Sequence, residues 1–287
     1  MTIQPPFVVQ PVVSFNTLFA AIPSPSSGSV HLGPIELRAY GLMIGLGVVA
    51  AVMIGSRRWV ARGGHPDDIA AIAMWAVPAG LVGSRLYHVA TDWKRFQGRW
   101  EDVFAIWQGG LGIPGGLAAG VLVGALVARR RGMDLPVMFD AVIPTLPIAQ
   151  AIGRWGNWFN QEVFGRPTDL PWGLRIDEAH RPLDYLSDTT FHPTFLYEGL
   201  WNLALAWALM RVDRRGVLRP GRIIGLWVFG YGLGRLWVES IRSDAASLVL
   251  GVRINIWVSL AAIVIGGVVT LTGRRAPLPP AAPADGG

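Results

Sequence analysis

Between Gly153 and Gly165 the chain reads GRWGNWFNQEVFG, which sets Arg154, Asn157, Asn160, Gln161 and Glu162 among bulky apolar residues. A second set, Tyr231, Arg235, Glu239 and Arg242, is spaced four, four and three apart, the repeat that lines one face of a helix. Arginine supplies the cation in both. A guanidinium is a planar fork of donors suited to phosphate, and it stays charged wherever it is placed. Glu162 and Glu239 would hold the arginine forks in place, while Asn157 and Asn160 would donate to ester or hydroxyl oxygens. The chemistry that follows is capture of a phosphate-bearing ligand and stabilisation of charge on it.

Other chemistries find no residues to carry them. The five histidines are scattered, with no HxxxH or carboxylate cluster at ligand spacing, so no metal and no other cofactor is expected. There is no G-x-S-x-G elbow and no evident Ser, His, Asp arrangement, which disfavours a lipase-type acyl enzyme. The chain has no cysteine, which excludes a disulfide framework, a thiolate metal site and a cysteine nucleophile.

The elements that must position these residues are membrane helices. The 287 residues are 52% hydrophobic and only 15% charged, well below the roughly 25% charged of ordinary soluble domains. An ionisable group at membrane depth costs roughly 2.5 to 3.5 kcal/mol on insertion scales and persists where it faces a bundle interior or a watery cavity, so the polar stretch reads as a functional site. The formal charge of +6 is carried almost wholly by arginine, and its nearer partner is anionic membrane lipid, with no nucleic acid expected.

Apolar runs long enough to cross about 30 Å of hydrocarbon occupy residues 37–56, 69–89, 111–128, 194–210, 223–241 and 254–271. A weaker seventh, 135–153, contains Asp140, Gln150 and several prolines and must be sheathed by other helices. Basic clusters set the orientation: Arg57, Arg58 and Arg62; Arg129 to Arg131; Arg211, Arg214, Arg215, Arg219 and Arg222; and Arg274 with Arg275. They follow every second crossing, which the positive-inside tendency satisfies with seven crossings, the N-terminus outside and the C-terminus cytoplasmic. The expected fold is therefore an all-α polytopic membrane protein of about seven transmembrane helices with a small outer cap.

Around that domain, residues 37–275, the sequence predicts an external N-terminal extension at 1–36 and a disordered cytoplasmic tail at 276–287. Within it, Trp93, Phe96, Trp100, Phe104 and Trp107 recur three or four apart, which predicts an interfacial helix over 91–107. Residues 166–191, rich in Pro and Asp, read as an irregular outer cap. Glycines at 112, 116, 120 and 124 form a stripe for close helix packing, and Gly41 with Gly45 and Gly230 with Gly234 read likewise.

The orientation gives each polar residue a depth. Tyr40, Arg85, His88, Gln108, the Arg154 to Glu162 group, His192, Tyr197, Glu198, and the Tyr231 to Arg242 face all fall at outer helix ends, which predicts one outer-leaflet cavity. Each also has a plainer role. Arg235 and Glu239 form an i,i+4 ion pair, Arg154 snorkels to headgroups, Tyr40, Trp107 and Trp158 belong to an aromatic belt, and His88 and His192 are structural histidines. Asn157, Asn160 and Glu162 resist that treatment, because facing lipid they would be unsatisfied.

The thirteen residues from Gly153 to Gly165 resemble the signature of the prolipoprotein diacylglyceryl transferase family, G-R-x-G-N-(F/W/Y)-x-N-x-E-x-x-G, with every fixed position filled. Further family-like stretches follow in order: Tyr40 to Met43, Trp107 to Gly110, His192 to Thr194, Leu196 to Glu198, and Tyr231 to Arg242. The resemblance covers about residues 36–271. It implies an enzyme of the bacterial cytoplasmic (inner) membrane whose site faces the outer leaflet. There the diacylglyceryl group of phosphatidylglycerol passes to the lipobox cysteine of a prolipoprotein signal peptide, releasing glycerol phosphate.

On that reading Arg154, Arg235, Glu239, Tyr40 and His192 are catalytic, and Asn157, Asn160, Glu162, Gly165, Arg85, Tyr231, Arg242 and Gln108 bind substrate. The chain departs from the family at Gly112-Ile113-Pro114-Gly115-Gly116, where many members carry a histidine in place of Pro114. Glu239, Tyr40 and His192 are then the candidate bases, unless the arginine field alone lowers the thiol pKa from about 8.5. The alternative is a transporter or flippase for an anionic phospholipid, which would need a polar route inward through helix halves that are almost purely apolar.

Overall fold

The structure, a computed structural model, describes residues 21–32, 35–106, 109–243 and 248–273. Eight α-helices occur among them: α1 (Ala39–Val60), α2 (Asp68–Thr91), α3 (Ile113–Arg130), α4 (Leu135–Val142), α5 (Leu146–Phe159), α6 (Thr194–Arg215), α7 (Ile223–Ile241) and α8 (Ile254–Thr272). Three two-stranded antiparallel hairpins join them: β1 (Ser29–Leu32) with β2 (Ile35–Arg38), β3 (Leu174–Arg175) with β4 (Thr190–Phe191), and β5 (Leu248–Val249) with β6 (Val252–Arg253). By length and composition α1, α2, α3, α8 and the α4 to α5 unit are apolar enough to cross a membrane. The protein is a helical, multi-pass membrane protein.

The weak helix expected over 135–153 is broken in two and runs further. A single 3-10 turn, Ile143–Thr145, separates α4 from α5, which continues to Phe159. Pro136, Pro144 and Pro147 each sit at the first turn of their element, where a missing amide hydrogen leaves nothing unsatisfied. This unit is sheathed as expected: 44% of its apolar window is buried, against 11% for each of the other four. Its Asp140 accepts from the amides of Gly221 (2.8 Å) and Ile223 (3.3 Å) at the start of α7.

Small residues set the closest contacts. Gly116 packs on Ser84 and the Gly80 carbonyl, and Gly120 on the Ala76 carbonyl, so α2 and α3 lie backbone to backbone. Gly230 and Gly234 likewise admit Leu205 and Trp201 of α6. Gly41 and Gly45 do not behave this way, since nothing lies within 4 Å of where their Cβ would be. On α1 it is Gly47 that meets a neighbour, the Ala149 backbone of α5.

The helix ends that carry arginine meet at one end of the bundle. Arg58 reaches Asp213 of α6 at 2.8 Å and the carbonyls of Asp140 and Ala141 at 2.9 and 2.8 Å, and Arg62 joins the same carboxylate. Arg131 pairs with Asp68 at 2.9 Å, the Trp59 indole donates to Asp68 at 2.8 Å, and the Arg219 amide donates to the Gly273 carbonyl at 2.9 Å.

At the other end three expectations are corrected. The described part of the 1–36 extension does not stand outside the core: Ile22 pairs with Leu174, and the Trp158 indole donates to the Pro23 carbonyl at 2.9 Å. With it the 166–191 cap has a core of its own, in which Phe164, Leu174, Ile176, Phe191 and Phe195 are buried. Trp158 is thus a packing residue rather than a belt residue. The interfacial helix over 91–107 is instead two 3-10 turns, Trp93–Phe96 and Trp100–Phe104, parted at Gly98 with φ 77°. Phe96 is buried under Arg85, while Trp93, Trp100 and Phe104 remain exposed. Residues 1–20, Trp107, Gln108 and the tail at 276–287 lie outside the described residues.

Candidate functional site

The site begins where α5 stops. Gln161 and Val163 adopt left-handed backbone, φ 51° and 60°, which costs a non-glycine residue and must be held by its surroundings. The Gln161 amide does the holding: it donates to the Pro25 carbonyl (3.0 Å) and to Asp177 (2.6 Å), and accepts from the Asp177 amide (2.8 Å). The turn brings the Glu162 carboxylate back over the helix end, where it accepts from the side chains of Asn157 (2.9 Å) and Asn160 (3.3 Å).

With its nitrogen committed to Glu162, Asn157 offers its oxygen to Arg154 at 3.2 Å. The other arm of that guanidinium meets Glu198 of α6 at 2.6 Å. The expectation that Glu162 holds an arginine is therefore corrected. Glu162 orients the two asparagines, and Glu198, 7% exposed, holds Arg154. Glu198 Oε1 makes no hydrogen bond among the described residues.

Glu198 also lines a cleft with Trp201 and Asn202 of α6 and with Tyr231, Gly234 and Arg235 of α7. Gly234 lets the Trp201 indole close the back of it, donating to the Gly230 carbonyl at 3.0 Å. Arg235 is held by Glu239 at 2.8 Å, and the same carboxylate, 1% exposed, takes Arg253 at 2.7 Å and the Asn255 amide at 3.3 Å. Tyr40, at the start of α1, lies against Gly156, on the turn of α5 that carries Arg154 and Asn157. Arg154 and Arg235 are thus joined through Glu198, paired with one and sharing a cleft with the other.

The family model described as prolipoprotein diacylglyceryl transferase matches residues 28–272, which include every residue that lines the cleft. The chain belongs to that family. The phosphatidylglycerol–prolipoprotein diacylglyceryl transferase of Frankia alni is 52% identical over 266 residues, 92% of this chain and 70% of that one. A second enzyme of that name, numbered 2 in Streptomyces coelicolor, is 52% identical over 255 residues, 88% and 80% of the two chains. That of Rhodococcus jostii is 46% identical over 287 residues, 94% and 80%.

Not every residue picked out from the sequence joins the cleft of this diacylglyceryl transferase family member. Arg85, 7% exposed, donates to the carbonyls of Val103 (2.8 Å), Gly109 (2.6 Å), Gly110 (3.1 Å) and Asp102, and lines a separate cavity with His88, Arg95 and Arg99. Its fork is spent on pinning a loop. Gly165 sits where three chain segments cross, its amide on the His192 carbonyl (2.9 Å) and its backbone paired with Arg242, so a side chain there would strike His192 and the Ile241 carbonyl. Gln108 is outside the described residues.

His192 stands at the cap edge. Its Nδ1 lies 3.2 Å from the Tyr197 hydroxyl, which accepts from the Trp172 indole at 3.0 Å. Burial, and next the charge of Arg166, push the His192 pKa below the usual histidine value. Two partnerships escape sequence reasoning: that of Glu198, whose place at the outer end of its helix does not name Arg154 as its partner, and that of Arg253, which ends a hairpin and carries no helical periodicity.

Proposed function

We propose that the chain transfers the diacylglyceryl group of phosphatidylglycerol to the lipobox cysteine of prolipoprotein signal peptides in the bacterial cytoplasmic membrane. On this reading α6 and α7 cross as well as the five apolar units, and the positive-inside tendency supports a cytoplasmic side for the arginine-rich helix ends and an outer-leaflet side for the cleft. The observation that carries the reading is the position of Glu198, which pairs with Arg154 and lines the same narrow cleft as Arg235, because it ties two guanidinium groups to one place.

In the reaction, the cysteine sulfur attacks the terminal glyceryl carbon and a C–S bond forms. The C–O bond to phosphate breaks, and its electron pair leaves on glycerol phosphate. Arg154 and Arg235 stabilise that departing charge with donors fixed in advance by Glu198 and Glu239. The same field lowers the thiol pKa, which serves where Pro114 replaces a histidine. Of the candidate bases, Glu239 is committed to two arginines and His192 Nδ1 to Tyr197. Glu198 Oε1 retains acceptor capacity for the thiol proton, which then passes to the released phosphate. Asn157, Asn160 and Tyr231 contact the headgroup, and no finding favours transport.

Purified protein incubated with labelled phosphatidylglycerol and a lipobox peptide tests this directly. A thioether-linked product is expected. Its absence, with phosphatidylglycerol merely moved between leaflets, would replace the transferase reading with a flippase.

A further inference from the structure

Gly41, Gly45, Val48, Val52, Gly55 and Trp59 recur at intervals of four and three along α1 and so share one face of it. That face changes character from end to end. Beside Tyr40, Gly41 and Gly45 meet nothing within 4 Å. Further along, Val48 and Val52 line a cavity of about 300 Å³ whose opposite wall is the α2–α3 hairpin. At the arginine-rich end Gly55 touches Ile69 and Val142, and Trp59 is buried with Ile69 and Met138, which seals the floor. The cavity wall consists of Val, Ala, Ile, Gly, Met, Phe and Leu only.

We propose that this groove holds an acyl chain of the lipid whose phosphate the arginines take, and that its closed floor limits the chain length the protein accepts. The proposal rests on the diacylglyceryl reading above. Continuity with the site supports it. Leu146 and Ala149 of α5 line the groove, and Arg154 lies five residues beyond Ala149, about 7.5 Å of helix rise. From Val77 down to Ile69 the α2 wall spans about 12 Å, room for the distal part of a chain anchored at the level of Arg154. A wall with no polar side chain offers nothing to the polar flanks of a signal sequence, whereas an alkyl chain needs no polar partner. An extended alkyl chain is thin enough, and small residues on both walls leave it a channel.

Plugging the groove tests this. Val52→Phe fills the middle, and Gly45→Leu projects into open space at the mouth, where no packing contact is lost. The quantity read is the ratio of kcat/KM for dipalmitoyl to that for dioctanoyl phosphatidylglycerol. Both substitutions are expected to lower it by about tenfold or more, the scale of a misfit of one or a few methylenes. An unchanged ratio overturns the proposal. Independently of turnover, phosphatidylglycerol with a diazirine at the chain terminus should label α1 and α2 at the groove, and lose that label in Val52→Phe; labelling elsewhere overturns the proposal too. If the parent protein gave groove labelling but no thioether product, the transferase reading would fall and the groove would stand.

Discussion

Arg154 and Glu198 meet at 2.6 Å across the α5–α6 contact, and the second oxygen of that carboxylate is left without a hydrogen bond among the described residues. The pair makes Arg154 a fixed donor rather than a snorkelling one. Arg154→Ala should therefore reduce thioether formation by about 10²- to 10³-fold, the usual loss for a preorganised donor to developing charge, while the protein still inserts and purifies. Arg154→Lys should recover little, because an ammonium cannot address Asn157, Glu198 and a phosphate with one planar fork. Full activity in either variant would remove the mechanism's main support.

Glu239 and Arg235 make a contrasting prediction. Glu239→Gln removes the carboxylate that holds Arg235 and one partner of Arg253, whereas Arg235→Ala leaves Glu239 still paired with Arg253. The first should lose about 3–5 kcal/mol of stability, the cost of an uncompensated buried charge, and the second less. Thermal unfolding in detergent ranks them; the opposite order would mean that Arg253 is not the second partner.

His192 has its pKa held low, chiefly by burial, so the imidazole is neutral at pH 7. The unfolded chain takes up its proton at the higher pH. Stability is accordingly undiminished above the ordinary value of about 6.5, falls as pH drops below it, and levels off beneath the lowered folded value. Melting temperatures at pH 7.5 and 5 should show that acid loss, and His192→Gln should blunt it. The rate of transfer should keep the pH profile of the substrate thiol in His192→Ala; disappearance of a limb near pH 6 to 7 would restore His192 as the base.

Gly165 was expected to contact substrate, but its surroundings are backbone and His192. Gly165→Ala should then cost about 1–3 kcal/mol through overpacking, seen as a lower melting temperature. Turnover per folded molecule should fall less than in Arg154→Ala. A stable but inactive Gly165→Ala protein would return the residue to the binding site.

Much of this was legible in the residues. Apolar runs located the helices, and prolines 136, 144 and 147 explain why the one at 135–153 looked doubtful: each marks a first turn, so the break at Ile143–Thr145 carries the same signal as a poor helix. The i,i+4 spacing gave the Arg235 to Glu239 pair correctly. What stayed hidden was set by contacts distant in sequence. Glu162 stood nearer to Arg154 along the chain, yet a left-handed turn sends it to the asparagines and leaves the arginine to Glu198. The 91–107 segment kept a helical spacing of aromatics, but Gly98 and the pull of Phe96 beneath Arg85 folded it as two short turns.

The clamp on Gln161 joins the Pro25 carbonyl, near the start of the described chain, to Asp177 in the cap, with three membrane-length helices and the α4 to α5 unit threaded between Pro25 and Gln161. Closing so long a loop is among the slower contacts a chain makes. During biogenesis the emerging N-terminal stretch has to wait, unengaged, until the cap has crossed to its side. Only then does the turn bearing Glu162 lock, so the enzyme's competence is a late event of its insertion rather than a property of any helix hairpin already in place.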